Sequence, residues 1–579
     1  MNFKSLARAS RLVAIGAILF GSASCVKINE QLGENLIPTD QKWEVFEIDP
    51  MELTDIRMQM SDSLSGYSTS RFVFGSVRDS RLGTSIKSAS FTLVPLYDTL
   101  DFGDPATLKI RQFHFSAVRD TLSVMNKEQL RMLQNVYVSE LKKPLDSTVL
   151  YTGSFMNPQK RAEYLDLDNI ITTGIPVYDG GDSLSFDFSR EFTERFVQTL
   201  RETALDSMDL FVQKLPGIYI TTDAPVGDGG RINLFDIDID DSQGYLAGNF
   251  AELKITAKYD HSEEPIDTSF AFFFGPAEFL DEDSTGYPTQ FAFNSSEHET
   301  YDIYKEGVKA TDKIYIEGGS GIKPVIKAKE IKELVEEQLV ANGIADKSEV
   351  VINKASLILP YDVEGNYDLL DNYPMILSPT VRLRSSKGGY VSYAGITDSS
   401  ISTENQGDIN RSRSLYSPDI SYHVQEILSL DEKSKDYEKQ LEAHDIWFLI
   451  MYEEIVEQEN NNAYNDLYNN LLYSSYYNNL YGGYGGYGGY GGYGGYGGYG
   501  GYGGYGGYGG YGGYGYGSNY YNYYMMAMYA SAMSSSSNTK SSVELDKDRY
   551  YFATLNGPEA AGAKPQLKIT FSVPQTAEK

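Results

Sequence analysis

Apolar and polar positions alternate along much of this chain. "IKSASFTLVP" (86–95), "INKASLILP" (352–360) and "LKIT" (253–256, repeated at 567–570) carry the period of two. That period marks strands with one buried face. Gly- and Asp-rich turn signals separate such segments, as in "YDGGDS" (178–183), "APVGDGG" (224–230) and "EGGSG" (317–321). The helical period is confined to a few places. Ile331, Leu334, Val335 and Leu339 form a stripe on "EIKELVEEQLVANG", which Gly343 can terminate. Phe192, Phe196 and Leu200 form another over 190–205. Asn126 with Gln129 makes a capping box for a helix over "KEQLRMLQNVY". The pattern predicts a mostly β chain: two tandem antiparallel β-sandwich domains, a few short helices and one long disordered low-complexity insertion.

The strand marks recur in order. "IKSASFTL" is matched by "INKASLIL", "LSFDFSREF" (184–192) by "ISYHVQEI" (420–427), "GIYITT" (217–222) by "WFLIM" (447–451), and "LKIT" by itself. Four marks in one order predict an internal duplication. Ala89 and Leu93 would then stand where Ala355 and Leu359 stand in the second copy. The expected domains are 46–262 and 301–579, joined by a connecting segment at 263–300.

The second copy is interrupted. About thirty-five residues separate "GIYI" from "LKIT", whereas "WFLIM" and its "LKIT" lie over a hundred apart. The excess, 453–548, contains "QENNNAYNDLYNN" and eleven consecutive Tyr-Gly-Gly units from Tyr481 to Gly513. Glycine loses the most backbone entropy on ordering, and the repeat has no period that would bury a face. A flexible insertion at a strand–strand connection is expected. Its tyrosines allow stacking on sugar rings or self-association, and a neutral repeat expansion is the alternative.

The N-terminus changes the picture of where the protein resides. Lys4, Arg8 and Arg11 precede the apolar stretch Leu12–Phe20, which is too short to span a bilayer. Small residues then lead to Cys25, the chain's single cysteine. This reads as a lipoprotein signal peptide (1–24), a lipid attachment site at Cys25 and a tether over 25–45, although Ser22 stands where a lipobox carries Leu. An ordinary secretory signal with a stray cysteine is the alternative. The membrane partner would be reached through the acylated cysteine. The formal net charge of −31 disfavours nucleic acid and docking on anionic lipid.

Catalytic signatures are sparse. Asp236, Asp238 and Asp240 in "DIDIDDSQG" have the spacing of calcium ligands, but they alternate with Phe235, Ile237 and Ile239 as the wet face of a strand would. Asp241 occupies the place of the expected glycine. The five histidines show no metal-ligand spacing, and "EHE" (297–299) reads as a solvated loop. No nucleophile elbow, P-loop or dinucleotide fingerprint occurs in the sequence. No cofactor and no catalytic residue is expected. A carboxylate pair of the glycosidase kind stays open, because so acidic a chain contains many pairs.

"VFGSVRDSRLGTSIKSASFTL" (73–93), "GIYIT" (217–221), "IYIEGGSGIKPVIK" (314–327), "INKASLILP" and "KPQLKITF" (564–571) together resemble the Bacteroidota lipoprotein family catalogued as domain of unknown function 4270. The resemblance implies an outer-membrane lipoprotein of a Gram-negative envelope, with no established activity to carry over. A fainter likeness is to non-catalytic carbohydrate-binding sandwiches. The expected function is non-catalytic binding of a glycan or protein, or envelope organisation. The alternatives are a glycan-degrading enzyme and an accessory subunit of an outer-membrane complex. Only Glu30 follows the cysteine closely in "VKINEQ", which leaves the periplasmic and surface faces both open.

Overall fold

The computed structural model describes residues 43–574 apart from 96–98, 121–131, 146–152, 154, 157, 204–206, 238–248, 276–289, 364, 385–389, 402–405 and 458–538. The described chain is mostly β, with all named strand pairs antiparallel and only short helices. Its first strands are β1 (Trp43–Glu47) and β2 (Ile56–Met60).

A first body follows. One of its sheets contains β3 (Arg71–Asp79), β4 (Gly83–Phe91), β6 (Tyr137–Leu141), β7 (Leu165–Ile170), β9 (Ile218–Thr221) and β10 (Gly229–Asp236), and the other is built on β5 (Lys109–Val118), β8 (Ser183–Asp187) and β11 (Phe250–Ala257). Helix α1 (Arg190–Glu202) begins at Ser189, whose hydroxyl accepts from the Phe192 N–H. It buries the expected Phe192, Phe196 and Leu200. The core is phenylalanine-rich: Phe72 stacks on Phe235 at 4.7 Å and Phe91 lies 4.7 Å from Phe274. Two further strands complete this body. β12 (Ile266–Phe274) pairs with β11, and β13 (Ala292–His298) pairs with β4.

The second body repeats the pairing scheme. Its strands are β14 (Lys313–Glu317), β15 (Ile322–Ile326), β16 (Val351–Pro360), β17 (Ile376–Arg384), β18 (Tyr390–Gly395), β19 (Ile446–Glu457), β20 (Thr539–Leu545), β21 (Phe552–Asn556) and β22 (Gln566–Pro574). Its main helices are α2 (Ala328–Ala341) and α3 (Ser421–Leu428). The order β7-β6-β9-β4-β13 in the first body matches β18-β17-β19-β15-β2 in the second. Likewise β8-β5-β11-β12 matches the short strand Leu415–Tyr416 followed by β16-β22-β1. The ladder β3–β10 corresponds to β14–β21.

The duplication is therefore present, but two expectations about it need correction. Ala89 pairs with Ile220 on β9, whereas Ala355 pairs with Ile569 on the closing strand β22. The counterpart of β4 is β15, and the counterpart of β16 is β5. The second correction concerns grouping. Segment 43–60 completes the second body, not the first: Trp43 faces Pro574 and Ile56 faces Ile326. Met51, Leu53, Ile56, Met58 and Met60 lie in the same core as Leu357, Ile569 and Phe571. Residues 266–274 and 292–298, expected in a connecting segment, are structural strands of the first body. Short pairings follow the same grouping, since Ser68 faces Ala292 within the first body and Val308 faces Met58 within the second.

Local readings fared unevenly. Helix α2 buries Ile331, Val335 and Leu339, and Gly343 follows it with φ 75°. "ISYHVQEI" is helix α3, not a strand, because Ile420, Val424, Ile427 and Leu428 fall on one buried helical face. The helix expected from Asn126 begins outside the described residues, and Gln134, Asn135 and Tyr137 at its far end are in strands. The insertion does interrupt a strand–strand connection. β19 and β20 pair from Met451↔Leu545 to Glu457↔Thr539, so the Tyr-Gly-Gly run lies between the arms of one hairpin.

Candidate functional site

A buried polar seam joins the two bodies. Its centre is the turn "EGGSG", which links β14 to β15 and folds back over Lys323. The Lys323 ammonium donates to the carbonyl oxygens of Glu317 (2.5 Å), Gly319 (2.8 Å) and Gly321 (3.2 Å). Ser61 Oγ donates to two of the same carbonyls. Gly319 has φ 60°, and a Cβ there would sit 2.6 Å from Lys87 Nζ, so glycine is required on both counts.

From the first body, β4 and β13 contribute cross-strand pairs: Ser85 faces His298 and Lys87 faces Ser296. Lys87 Nζ donates to Ser296 Oγ at 2.5 Å. The Ser85 hydroxyl lies 2.8 Å from His298 Nδ1 and 3.1 Å from Glu317 Oε1. His298 Nδ1 and Glu317 Oε2 are 3.6 Å apart. Burial, reinforced by Lys87 and Lys323, drives the imidazole well below its ordinary range, so this contact joins a neutral ring to the carboxyl. Burial also raises the Glu317 carboxyl, pushes Lys87 down to about 8 and pushes Lys323 down to about 7.

The third component follows β20 directly. Asp546 accepts from the Tyr551 hydroxyl at 2.6 Å and lies 3.1 Å from Arg549 Nε. Asp548 accepts from Ser68 Oγ (2.8 Å) and Asn294 Nδ2 (2.9 Å), tying the second body to the first. Lys547 is half-buried and donates to the Ser65 carbonyl at 3.3 Å. The seam holds a partly open cavity of about 20 Å³, room for one water-sized species. That is far below the ~300–1,000 Å³ of small-molecule pockets. Its chemistry is that of an electrostatic joint.

No family model, no curated protein and no solved structure matches this chain.

A second polar group lies at the start of α3. Asp398 accepts from the Tyr422 and His423 N–H groups at 2.7 and 2.9 Å. One turn on, burial and then the Asp398 charge push Glu426 up to about 7. His423 Nε2 lies 2.8 Å from the His444 carbonyl, and burial pushes the His423 imidazole down to about 3.

The sequence candidates fall elsewhere. Cys25, Asp238 and Asp240 lie outside the described residues. Asp236 ends β10 opposite Arg71, half-buried between buried Phe235 and Ile237, and the strand before it is buried on both faces rather than wet on one. No cluster of three or more metal-ligating side chains occurs among the described residues. The reading of 297–299 as a solvated loop is corrected: these residues end β13 and run just past it, and His298 is buried in the seam. Sequence reasoning missed Lys87, Lys323 and the Asp546–Arg549 group. The available signal was a lysine inside each of two apolar strands, "SIKSASF" and "GIKPVI", where only a paired or hydrogen-bonded ammonium can reside.

Proposed function

We propose that the chain is a non-catalytic envelope protein of the Bacteroidota lipoprotein family it resembles, anchored at the outer membrane through Cys25, that binds a glycan or an envelope protein. The observation that supports this reading is the mounting of the Tyr-Gly-Gly insertion. Beyond Met451, β19 leaves its neighbour β17 and is paired with β20 alone among the described strands. Tyr452, at the root of that ribbon, lies under the Arg549 guanidinium (4.7 Å) and near that of Arg71 (5.8 Å) from the first body. The arms of that ribbon carry the tyrosine-rich segment between them, and tyrosine rings suit many weak contacts.

The test compares the parent with a variant in which 458–538 is replaced by a short Gly-Ser linker. Outer-membrane vesicles and envelope glycans should be retained by the parent and lost by the variant. Equal retention would overturn the assignment of binding to the insertion. The Asp398–Glu426 pair favours one second reading, a glycan hydrolase with Glu426 as general acid. Glu426→Gln abolishing release of reducing sugar from envelope glycans would establish that reading instead.

A further inference from the structure

Two ammonium groups in the seam, those of buried Lys87 and half-buried Lys547, have no carboxylate within ion-pair distance among the described residues. Among the described residues, Lys87 makes one side-chain hydrogen bond, to Ser296 Oγ, and Lys547 one, to the Ser65 carbonyl. Each –NH₃⁺ has three donors, so most of their donor capacity is unspent. Both residues line the 20 Å³ cavity, together with Ser296, Asn294, Asp548 and Ser320. Ser320 is 3 % exposed, and its hydroxyl has no hydrogen-bond partner among the described residues.

The lining thus offers more unspent donors than free acceptors. The two Asp548 oxygens already accept from Ser68 and Asn294. Of the lining side chains, Lys87 and Lys547 are cationic and Asp548 is anionic. One positive charge is left over. A water molecule could fill the space, but it carries no charge to offset the one left over. An occupant that accepts only, carries one negative charge and is close to water in size satisfies both requirements.

We propose that this cavity binds a small monovalent anion of the halide class, held by Lys87, Lys547 and Ser320. The anion would act as a bound wedge between the bodies, because Lys87 comes from the first and Lys547 and Ser320 from the second. The site stands independently of any lipid anchor or glycan partner.

The experiment uses the full chain in sodium chloride and in sodium gluconate at equal ionic strength. Binding to the folded state alone predicts a saturable rise in Tm with chloride, about 2 °C at tenfold excess over half-saturation. Ser320→Ala, which removes a donor without burying a new charge, should keep the fold and shift half-saturation several-fold higher. Crystals soaked in bromide should give an anomalous peak between Lys87 and Lys547. Equal Tm in the two salts, an equal chloride response in Ser320→Ala, or a cavity holding water only would each overturn the proposal.

Discussion

Ile56→Ala is a sharp test of the grouping of segment 43–60 with the second body. Ile56 is fully buried on β2, near the start of the chain, yet its cross-strand partner is Ile326 in the second body. Truncating a buried Ile to Ala costs about 2–5 kcal/mol. Four buried side chains of this segment, Leu53, Ile56, Met58 and Met60, together contribute roughly 6–12 kcal/mol by area. That sum is comparable to the whole stability of a typical domain, ~5–15 kcal/mol. The loss should therefore fall on the second body. Hydrogen exchange of the full chain, read by mass spectrometry, separates the two bodies. Exchange in β15 and β22 should accelerate about thirty- to several-thousand-fold, a tenfold change per ~1.4 kcal/mol, with β4 and β11 little affected. Acceleration confined to β4 and β11 would show that 43–60 belongs to the first body, and the pairing scheme would be wrong.

Other outcomes follow from the same geometry. Replacing the roughly eighty residues of 458–538 by a tight turn shortens the loop by about four doublings, a gain of at most ~2.4 kcal/mol, so Tm should move by only a few degrees; loss of folding would mean that the insertion is part of the core. Lys323→Met should flatten the alkaline limb of stability against pH. The folded state releases the Lys323 proton at about 7 while the unfolded chain holds it to 10.5. Parent stability therefore rises with pH across that window, by up to ~1.4 kcal/mol per unit, and denaturant titrations showing the same slope in the variant would count against the buried ammonium. Gly319→Ala should destabilise by about 1–3 kcal/mol through its positive φ and the contact with Lys87, measurable as a shift in denaturant midpoint. Cys25→Ala should abolish lipid labelling and release the protein from membranes; unchanged labelling would end the anchor reading.

The sequence showed the elements better than their partners. Period two in "INKASLILP" and the stripe of α2 were visible because a strand or helix face is a local property. Partnership is not local. "IKSASFTL" and "INKASLIL" look alike because any strand buried along one face favours small and β-branched residues there. Their neighbours, β9 for one and β22 for the other, were chosen by packing over long chain separations. Helix α3 misled for a different reason: "ISYHV" has strand-like propensities. Its buried face and the N-terminal cap from Asp398, over twenty residues upstream, override them. His298 was hidden because "NSSEHE" is polar, and a polar strand is buried only where a second polar surface meets it. No pattern in one segment could announce that surface, since its members come from β4, the 317–323 turn and the stretch after β20.

The pairing of Trp43 with Pro574 also bears on how this gene could be rearranged. The two described ends of the chain are neighbouring strands of one sheet, so a short peptide could join them. Opening the chain instead just after His298 would give an order in which the second body, closed by 43–60, is synthesised before the first. Both bodies would then be contiguous in sequence with every ladder kept, and the crossing of segments between them would disappear. Such a circular permutant should fold to the same arrangement, with its halves separable at the 61–66 crossover by a single cut.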